Sequence, residues 1–458
     1  MNIDFKVHQH IFFIGVAGAG MSAIAQYLAG IGKDVSGSDR YFTGGEYNDT
    51  RTKLEAAGIK CFLQNGEGID LLTGLVVVST AVEDTVEEVI KAKQLGIPII
   101  KRAALLAQIA GSKRTIAIGG TSGKSTTCAM LFSILEYAGY RPGIISGAGL
   151  TSLIKEGRIG NAKAGDGEWL VIEADESDGS IINYKPETGL LLNIDKDHQE
   201  IEELMPIFSV FSNNSKYFIV NQSNLLAKKL SKDIRKDFSI NENNYAGIMA
   251  IGFLQEGFNI HFTVKGTAFS LKAIGRHSME NAVAAVAAAH STGISLETCA
   301  EALKHYEGIY RRHQVLGKKN GTWLIDDYAH NPVKCASSIA ACQPLAAKVI
   351  AWFQPHGYGP TKFLRNDFVK EIAAVLRPDD EIWMSEIFYA GGTTVKDISA
   401  NDLIRDIRAL GRKAFFVKER EGLLKELRPH LSAGSVLLLM GARDPSLERF
   451  GKEIWAAL

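Results

Sequence analysis

The sequence predicts an α/β protein of three domains, each built on a mostly parallel sheet. The chain has 458 residues, too many for one compact core and suited to about three domains of ~100–200 residues. Short apolar runs alternate with helical patterns along the chain, which is typical of parallel strands joined by crossover helices. Because the alternation starts anew twice, we expect domains over residues 1–110, 111–313 and 314–458.

The first predicted domain begins with the apolar run HIFFIGV, a glycine-rich turn and the helical pattern MSAIAQYLAGIG. Later strands are predicted at KDVSGSD, LVVVST and GIPII. Short apolar runs bounded by turn residues indicate strands, and apolar positions at helical spacing between them indicate helices. These segments therefore predict βαβ units.

A second alternation follows the break at Gly111-Ser112-Lys113, where the strand TIAIGG leads through a loop into the helical STTCAMLFSILEYAG. Its further predicted elements are WLVIEAD, GLLLNID, YFIV, the more polar pair FNIHFTV and AFSLKAI, and the alanine-rich helix ENAVAAVAAAH. The basic stretch YRRHQVLGKKNG then precedes a last alternation, made of TWLIDDYAHNP, KVIAWFQP, EIWMSEIF, KAFFVK and SVLLLMGA. We expect a large nucleotide-binding central domain followed by a smaller α/β domain.

Composition excludes several classes of protein. Lys and Arg together number 51, as do Asp and Glu, so no large positive field favours nucleic acid. No apolar run approaches the ~18 residues of a membrane span, and the N-terminus does not resemble a signal peptide. The five cysteines are odd in number and show no CxxC spacing, which favours reduced thiols. We expect a soluble cytoplasmic enzyme without a nucleic-acid or membrane partner.

The second glycine-rich turn, Gly119 to Thr127 with the sequence GGTSGKSTT, carries the strongest local signal. Backbone amides of such a turn can surround phosphate oxygens, Lys124 can neutralise them, and a hydroxyl after the lysine can bind Mg²⁺. The spacing differs from the standard P-loop because Ile118 stands five residues before Gly123. A purely structural turn is the alternative, but the Lys-Ser-Thr-Thr that follows favours phosphate binding.

The first glycine-rich turn, GVAGAG from Gly15 to Gly20, follows a strand and opens a helix, and Asp39 ends the next strand. This resembles a dinucleotide fingerprint, although the spacing is GxxGxG and not GxGxxG. By itself the turn leaves three interpretations open: NAD(P), a UDP diphosphate, or helix–strand packing without a ligand.

Two acidic clusters stand at predicted strand ends, EADESD from Glu173 and NIDKDH from Asn193. Carboxylates and an imidazole at the carboxyl edge of a parallel sheet can hold Mg²⁺ against ATP. Individually these acids could be helix caps or solvated turns. Together they favour a metal–nucleotide site, with His198 a candidate ligand and Glu173, Asp175 and Glu176 not distinguished.

Six motifs then follow one another in order: GTSGKSTT, EADESD, NIDKDH, GRHSMEN, DDYAHNP and FQPHGY. Together they resemble the Mur ligases, closest to the alanine-adding branch of that family, from the first glycine turn to GAR at 441–443. The resemblance implies an N-terminal Rossmann-like domain for the UDP moiety, a central ATPase domain of P-loop type with a parallel sheet, and a C-terminal Rossmann-like domain for the amine.

The resemblance also implies roles for individual residues. The first turn binds the UDP diphosphate, and the implied UDP-sugar contacts are Gly15, Ala17, Gly18, Gly20, Met21, Ser38, Asp39 and Ser79. The implied ATP contacts are Gly120, Thr121, Ser122, Gly123, Lys124, Ser125, Thr126, His277, Asn281, Arg312 and Asp327. Within that set His277 and Asn281 contact adenine, and Arg312 lies near the phosphates.

Three smaller groups complete the implied site. The catalytic residues are Lys124, Glu173 and His198, and the Mg²⁺ ligands are Ser125, Thr126, Glu173 and His198. The amine substrate contacts His330, His356 and Tyr358. The expected cofactors are ATP and Mg²⁺, the expected substrates are UDP-N-acetylmuramate and an amino acid or short peptide, and we expect a monomer or homodimer.

The expected reaction is amide formation through an acyl phosphate in peptidoglycan precursor synthesis. A carboxylate is a poor electrophile, so phosphorylation by ATP must activate it, which is largely a task of positioning and charge stabilisation. Closure about linkers near residues 111 and 312 would keep water away from the reacting groups.

One segment departs from the family pattern. Alanine-adding members read FQPHRYxRT, whereas Gly357 and Pro360 stand at the two arginine positions, with Lys362 and Arg365 the nearest cations in sequence. Likewise, GHHP is replaced by Ala329-His330-Asn331-Pro332. A bidentate arginine contact is not replaced equivalently by a lysine. We expect L-alanine, with another amino acid or the tripeptide of muropeptide-recycling ligases as alternatives; the retained FQPH favours an amino acid.

Two other classes of function compete with a ligase. A dehydrogenase would use the first turn, but it leaves GTSGKSTT, EADESD and GRHSMEN unexplained. A non-catalytic nucleotide-binding protein derived from such a ligase would suit the altered FQPHGYGP segment, but not the unaltered phosphate turn and acidic clusters.

Overall fold

Parallel strands form the first sheet of the protein, as the alternating pattern predicted. The computed structural model describes residues 3–45, 47–177, 179–195, 200–389, 391 and 395–458. The first elements are β1 (His10–Ile14), α1 (Ala19–Gly30), β2 (Asp34–Asp39), α2 (Asp49–Ala56), β3 (Lys60–Leu63), β4 (Leu75–Val78), α3 (Glu87–Gln94), β5 (Ile99–Lys101) and α4 (Arg102–Gly111). The strand order is β3-β2-β1-β4-β5 and every pair is parallel. The carboxyl ends of β1, β2 and β4 therefore share one edge.

The second sheet has six strands and carries the phosphate loop. Its elements are β6 (Arg114–Gly119), α5 (Lys124–Tyr137), β7 (Gly143–Ile145), α6 (Thr151–Lys155), β8 (Ala162–Lys163), β9 (Trp169–Glu173), β10 (Thr188–Leu191), α7 (Ile201–Asn214) and β11 (Tyr217–Val220). The order is β11-β10-β6-β9-β7-β8, with only the β7–β8 pair antiparallel among the described pairs. β9 and β10 are buried along most of their length, as strands covered by helices on both faces should be.

A smaller sheet and two helices follow. The elements are β12 (Phe238–Ser239), β13 (Ile248–Glu256), β14 (Asn259–Val264), β15 (Thr267–Lys272), α8 (Arg276–His290) and α9 (Leu296–Lys304). The four strands have the order β12-β13-β14-β15. Residues 282–289 of α8 are all buried; most of them are alanine, so the helix can pack closely on its surroundings.

The last sheet repeats the α/β pattern. Its elements are β16 (Gln314–Lys319), β17 (Thr322–Asp327), α10 (Pro332–Cys342), β18 (Lys348–Gln354), α11 (Tyr358–Phe363), α12 (Arg365–Val375), β19 (Glu381–Met384), α13 (Ala400–Ala409), β20 (Lys413–Phe416), α14 (Leu423–Leu427), β21 (Ser435–Gly441) and α15 (Leu447–Ala457). The order is β16-β17-β21-β18-β19-β20, and all pairs but β16–β17 are parallel. The predicted α/β fold class is confirmed.

The Cα positions divide the chain into two compact units. One comprises residues 1–251, 263–269 and 280–309, and the other comprises residues 252–262, 270–279 and 310–458. The first two sheets lie in the first unit and the last sheet in the second. The predicted boundaries near 110 and 313 stay predictions. Among the described residues no helix is long and apolar enough to cross a membrane, and all five cysteines are free thiols.

Candidate active site

The second glycine-rich turn lies at the carboxyl edge of the central sheet, between the ends of β9 and β10, the two neighbours of β6. Gly120 and Gly123 have φ values of +137° and +85°, where residues with a side chain are strained. A Cβ on Gly120 would lie 3.2 Å from the amide nitrogen of Asn193. The turn therefore requires glycine for its backbone conformation and for its close approach to the segment after β10.

Lys124 begins α5 and is held by acceptors from the turn and from the acidic segment that follows β9. Its Nζ donates to the Gly120 carbonyl oxygen at 2.7 Å and to the Glu176 carboxylate at 2.7 Å, and lies 3.6 Å from Asp175. Burial lowers the pKa of Lys124, but the charges of Glu176, Asp175 and Glu173 outweigh burial and hold that pKa above its usual value. The ammonium group is therefore charged at neutral pH, as phosphate binding requires.

Glu173 ends β9 and lies against the first turn of α5. Its carboxylate accepts hydrogen bonds from the Ser125 hydroxyl and from the Gly147 amide, and the Ser146 hydroxyl is 3.5 Å away. Carboxylate and hydroxyl oxygens at the base of a phosphate loop are the ligands that Mg²⁺ prefers. Sequence analysis did not find Ser146 and Gly147, whose only signal is a run of small residues after a strand.

Asn193, the second residue beyond β10, fixes the conformation of the phosphate loop. Its Oδ1 accepts from the Thr121 hydroxyl at 3.0 Å and the Ser122 amide at 2.9 Å. Its Nδ2 donates to the Ser122 carbonyl oxygen at 3.2 Å. The sequence marked Asn193 only as the start of an acidic cluster, whereas the structure makes it the residue that braces the loop.

The predicted metal site is described in part. Ser125 is buried and Thr126 half-buried on the first turn of α5, beside Glu173. His198 lies outside the described residues. In the described part of the chain no three His, Cys, Asp or Glu side chains gather closely enough to hold a metal. The oxygen donors of Ser125 and Glu173 nevertheless fit Mg²⁺, which keeps several waters and binds through few protein ligands and substrate phosphates.

Asn281 lies behind the phosphate loop. Its Oδ1 accepts from the Thr127 hydroxyl at 3.4 Å, and a Cβ on Gly123 would collide with the same oxygen. The side chain is 8% exposed. The structure therefore brings Asn281 to the phosphate loop, and its contact with adenine stays a prediction.

Most amides of the first glycine-rich turn donate hydrogen bonds to acceptors of the protein itself. The Gly15 and Val16 amides donate to the Ser38 carbonyl oxygen at 2.8 and 3.0 Å, and the Gly18 amide donates to the Gly15 carbonyl oxygen at 3.2 Å. The Ala17 amide donates to Asp39 at 2.9 Å. The amides of residues 15–18 are therefore already engaged. The amides that remain for a ligand are those of the first turn of α1, because an α-helix provides no acceptor for them.

The remaining predicted UDP-sugar contacts lie at the same sheet edge. Ser38 ends β2 with Asp39, and Ser79 follows β4. Ser38 is fully buried, and its hydroxyl has no hydrogen-bond partner in the described part of the protein. Met21 is 3% exposed, so its side chain packs in the core. A Cβ on Gly20 would lie 2.9 Å from Nη1 of Arg102, a residue that the sequence did not mark as part of the site.

In the second unit, His277 and Asp327 come together through His313. The rings of His277 and His313 are 5.0 Å apart, the His313 amide donates to Asp327 at 3.1 Å, and the Ser338 hydroxyl lies 2.9 Å from His313 Nε2. Burial, together with the charge of His313, lowers the pKa of His277 to about 3 against the opposing charge of Asp327. The His277 imidazole is therefore neutral at physiological pH.

The other predicted residues of this unit each lie against an aromatic or imidazole ring. The guanidinium carbon of Arg312 lies over the Tyr328 ring, 4.9 Å from its centroid, and His330 Nδ1 lies 2.9 Å from the Tyr328 carbonyl oxygen. The rings of His330 and His356 are 5.7 Å apart. The two predicted amine-contacting histidines are therefore neighbours, while Tyr358 packs on Tyr389 with ring centroids 5.5 Å apart.

The segment that departs from the family pattern has a distinct local structure. Gly357 has φ +72°, and a Cβ there would lie 3.3 Å from Pro360 Cδ, so an arginine at 357 would be strained. Lys362 pairs with Asp397, and Arg365 pairs with Asp406 at 2.7 Å. Lys362 and Arg365, the cations nearest to Gly357 in sequence, are therefore engaged by carboxylates of the protein itself.

These features define a nucleotide-dependent α/β enzyme, with a lysine-containing phosphate loop beside a carboxylate and a hydroxyl. Comparison with known proteins specifies the class. Family models match residues 10–114 (Mur ligase family, catalytic domain), 118–289 (Mur ligase middle domain) and 311–443 (Mur ligase, glutamate ligase domain).

Relatives match the chain over nearly its whole length. A UDP-N-acetylmuramate–L-alanine ligase of Carboxydothermus hydrogenoformans is 34% identical over 94% of this chain and 93% of its own, and one of Geobacter sp. strain M21 is 33% identical over 95% of both. The crystal structure of UDP-N-acetylmuramate-alanine ligase from Thermotoga maritima is 25% identical, covers 98% of this chain and 100% of its own, and has a TM-score of 0.79. A murein peptide ligase of Psychrobacter arcticus, at 21% identity over 98% of each chain and a TM-score of 0.66, shares the fold.

The chain belongs to the Mur ligase family. It is an ATP-dependent ligase that forms a C–N bond in peptidoglycan synthesis, which confirms the predicted class and excludes the dehydrogenase interpretation.

Proposed function

We propose that the protein joins L-alanine to the carboxylate of UDP-N-acetylmuramate through an acyl phosphate formed with ATP. The observation that carries the proposal is the phosphate loop, where charged Lys124 lies beside the Ser125–Glu173 pair at the carboxyl edge of the central sheet. The relatives that match more than nine-tenths of the chain carry this activity in their names. The balanced formal charge of the chain supports small-molecule partners and not nucleic acid, and we propose a monomer or homodimer.

In the first step the sugar carboxylate attacks the γ-phosphorus of ATP, the bond to the ADP oxygen breaks, and ADP leaves. Lys124 stabilises charge on the transferred phosphoryl group, and the loop braced by Asn193 holds the phosphates in line. Lys124 is already charged and lies at the loop, where its Nζ donates to the Gly120 carbonyl oxygen and to Glu176; a phosphate oxygen would share or replace these acceptors. This chain's contribution to the step is therefore positioning and charge.

Mg²⁺ would be held by Ser125 and Glu173, with Thr126 and His198 as further proposed ligands. When bound, it supplies positive charge to the phosphate oxygens. The Glu173 carboxylate is oriented for this by the Gly147 amide, which fixes one oxygen.

In the second step the amine nitrogen attacks the acyl carbon, the bond to the phosphate oxygen breaks, and inorganic phosphate leaves as the nitrogen loses a proton. We propose that His330, His356 and Tyr358 contact the amine substrate. Closure about residues near 111 and 312 would exclude water, which otherwise hydrolyses the acyl phosphate.

A second candidate is a ligase of the same family with a different amine. The Gly357 backbone and the engaged Lys362 and Arg365 leave no arginine fork at the position where alanine-adding relatives have two. A bidentate guanidinium fixes a carboxylate more strongly than a single ammonium does. This difference favours a rearranged carboxylate contact, another amino acid or the recycling tripeptide.

The test is release of ADP and phosphate with UDP-N-acetylmuramate, Mg²⁺ and ATP. L-alanine, other single amino acids, glycine and the L-Ala-D-Glu-diaminopimelate tripeptide are supplied one at a time, and the products are weighed by mass spectrometry. Product with L-alanine supports the proposal, product with the tripeptide alone assigns a recycling ligase, and no product with any amine contradicts the sugar substrate.

A further inference from the structure

Arg102 lies between the first glycine-rich turn and the acidic end of β9. It is the first residue of α4 and follows β5 directly, so it lies at the carboxyl edge of the N-terminal sheet. Neither its position nor its neighbours in sequence marked it as a functional residue.

The Arg102 guanidinium occupies the space that a side chain on Gly20, in the first turn of α1, would enter. A Cβ on Gly20 would lie 2.9 Å from Arg102 Nη1, 3.4 Å from Cδ and 3.5 Å from Cζ. Gly20 is within a helix and has no positive φ, so its backbone does not require glycine. The missing side chain instead makes room for the guanidinium.

The first turn of α1 is fixed relative to the central sheet by Asn161, which is 3% exposed. Asn161 Nδ2 donates to the Ala19 carbonyl oxygen at 2.8 Å and to the Ser22 hydroxyl at 3.0 Å, and its Oδ1 accepts from Gln26 at 2.8 Å. All the hydrogen-bonding groups of this amide are used. The position of Gly20 is therefore well defined, and so is the space beside it that the Arg102 guanidinium occupies.

The first turn itself offers an anion no positively charged side chain. Residues 15–20 contain no cation, and Asp39 adds a carboxylate that binds the Ala17 amide. Arg102 supplies the missing positive charge from α4. Its charge also reaches Asp175: burial raises the pKa of that carboxyl, but Lys124, the Ser177 amide and hydroxyl, and Arg102 together hold it below its usual value.

We propose that the Arg102 guanidinium binds an anionic group of the nucleotide sugar beside the first turn of α1 and so positions that substrate between the first turn and the ATP site. The inference rests on the proposed function, because it assigns a residue to the same nucleotide-sugar site. Phosphate and carboxylate oxygens share the chemistry that a guanidinium recognises, and the nucleotide sugar carries both.

The experiment compares the wild-type protein with R102A, R102K and K101A. Lys101 is the exposed residue next to Arg102, so K101A removes a neighbouring charge without touching Gly20. Binding of UDP-N-acetylmuramate, UDP-N-acetylglucosamine and UDP is measured by calorimetry, and the KM for each substrate is measured by ADP release.

R102A should weaken UDP-N-acetylmuramate binding by about 10- to 100-fold, the worth of hydrogen bonds to a charged group. The KM for ATP should change by less than about threefold, R102K should recover part of the loss because it keeps the charge without the fork, and K101A should match the wild type. An equal loss for UDP and UDP-N-acetylglucosamine assigns the contact to the diphosphate. A loss confined to UDP-N-acetylmuramate assigns it to the carboxylate.

G20A provides a second, independent variant. Its methyl group would displace the guanidinium, so G20A should weaken nucleotide-sugar binding in the wild type but add little in the R102A background. Additive losses would contradict a shared role.

Unchanged nucleotide-sugar binding in R102A, with only the unfolding midpoint lowered, would overturn the inference and leave Arg102 a structural residue. Failure of the wild-type protein itself to bind UDP-N-acetylmuramate would instead overturn the proposed function, so the two failures are distinct.

Discussion

The glycine-rich turn after β1 and the one after β6 have the same topology but offer an anion different groups. Each follows a central strand of a parallel sheet and opens a helix. The first, residues 15–20, contains only glycine, alanine and valine, whereas residues 120–127 include Lys124 and five hydroxyl side chains. The first turn suits a stable diphosphate, and the second suits a phosphate that reacts.

The two turns are also braced by different side chains. Asp39, at the end of the strand beside β1, accepts from the amides of Ala17 and Tyr41 at 2.9 and 3.0 Å. Asn193, just past the strand beside β6, both accepts from and donates to Ser122. A neutral brace adds no negative charge next to a triphosphate. The first turn has a carboxylate brace and no cation of its own, and Arg102 is placed to provide a positive charge beside it.

The largest expected effect comes from removing the cation that only the second turn contains. K124A should lower kcat by about 100- to 1000-fold, as the loss of one preorganised group that stabilises transition-state charge typically does. ADP release at saturating ATP measures it. As a matched control, K155A removes an exposed lysine that pairs with Glu307 at 3.1 Å and should leave kcat unchanged. Near-normal turnover by K124A would contradict the assignment of the second turn as the phosphate loop of the reaction.

An intermediate effect is expected from giving the second turn the brace of the first. In N193D the side chain loses its N–H donor to the Ser122 carbonyl oxygen and places a carboxylate beside the ATP phosphates. The KM for ATP should rise by about 10- to 100-fold, while the KM for the nucleotide sugar should stay within about threefold. Circular dichroism and the unfolding midpoint check that the variant folds. A normal KM for ATP would mean that a neutral brace is not required.

The sequence predicts the features of the two turns that depend on neighbouring residues, but not their contacts with residues far along the chain. Periodicity located most of the strands and both glycine-rich turns, because these elements are set by neighbours in sequence. The strands that it did not predict are β3, β7, β8, β12, β13 and β16, the last of which lies in the basic stretch before the C-terminal sheet. The partners of the turns are remote: Thr121 and Asn193 are 72 residues apart, and Ser125 and Glu173 are 48 apart.

The resemblance to the Mur ligases identified Glu173 as a site residue, and the structure places it beside Ser125. It did not supply Asn193, Gly147 or Arg102 as parts of the site, because their roles appear only when the sheet order brings strand ends together. Gly20 shows the same limit: the sequence suggests a phosphate-binding glycine, whereas the structure shows space for a guanidinium.

We expect His277 to make the fold sensitive to acid near neutral pH, whereas the two turns contain no histidine. His277 has a pKa of about 3 in the folded protein, below the ~6.5 of an unfolded chain. As the pH falls below ~6.5 the unfolded chain takes up a proton that folded His277 does not, so the free energy of unfolding decreases. Between pH 7 and 5.5 the decrease should be about 1 kcal/mol.

Urea unfolding of wild type and H277Q at both pH values measures this effect. H277Q should lose the His277 contribution to the pH dependence, whatever its own stability. The same pH dependence in both proteins would assign the acid sensitivity to other groups.

The smallest expected effect is the reverse exchange, D39N, which gives the first turn a neutral brace. Asparagine has one acceptor oxygen for two amides, so either Ala17 or Tyr41 loses its partner, at a cost of about 0.5–1.5 kcal/mol. Removing the carboxylate also lessens repulsion of the diphosphate, which offsets part of that cost. The KM for the nucleotide sugar should therefore rise only about two- to fivefold, with the KM for ATP unchanged.

D34N provides the control for D39N, because Asp34 begins the same strand and pairs with His10 at 2.8 Å. It should leave both KM values unaltered. A loss in D39N as large as that in N193D would mean that the charge of Asp39 is itself required, and that the two turns are braced for the same reason. A small rise in KM for D39N together with a large rise for N193D would show two things. The phosphate loop requires a neutral brace, and the nucleotide-sugar turn does not depend strongly on the charge of its brace.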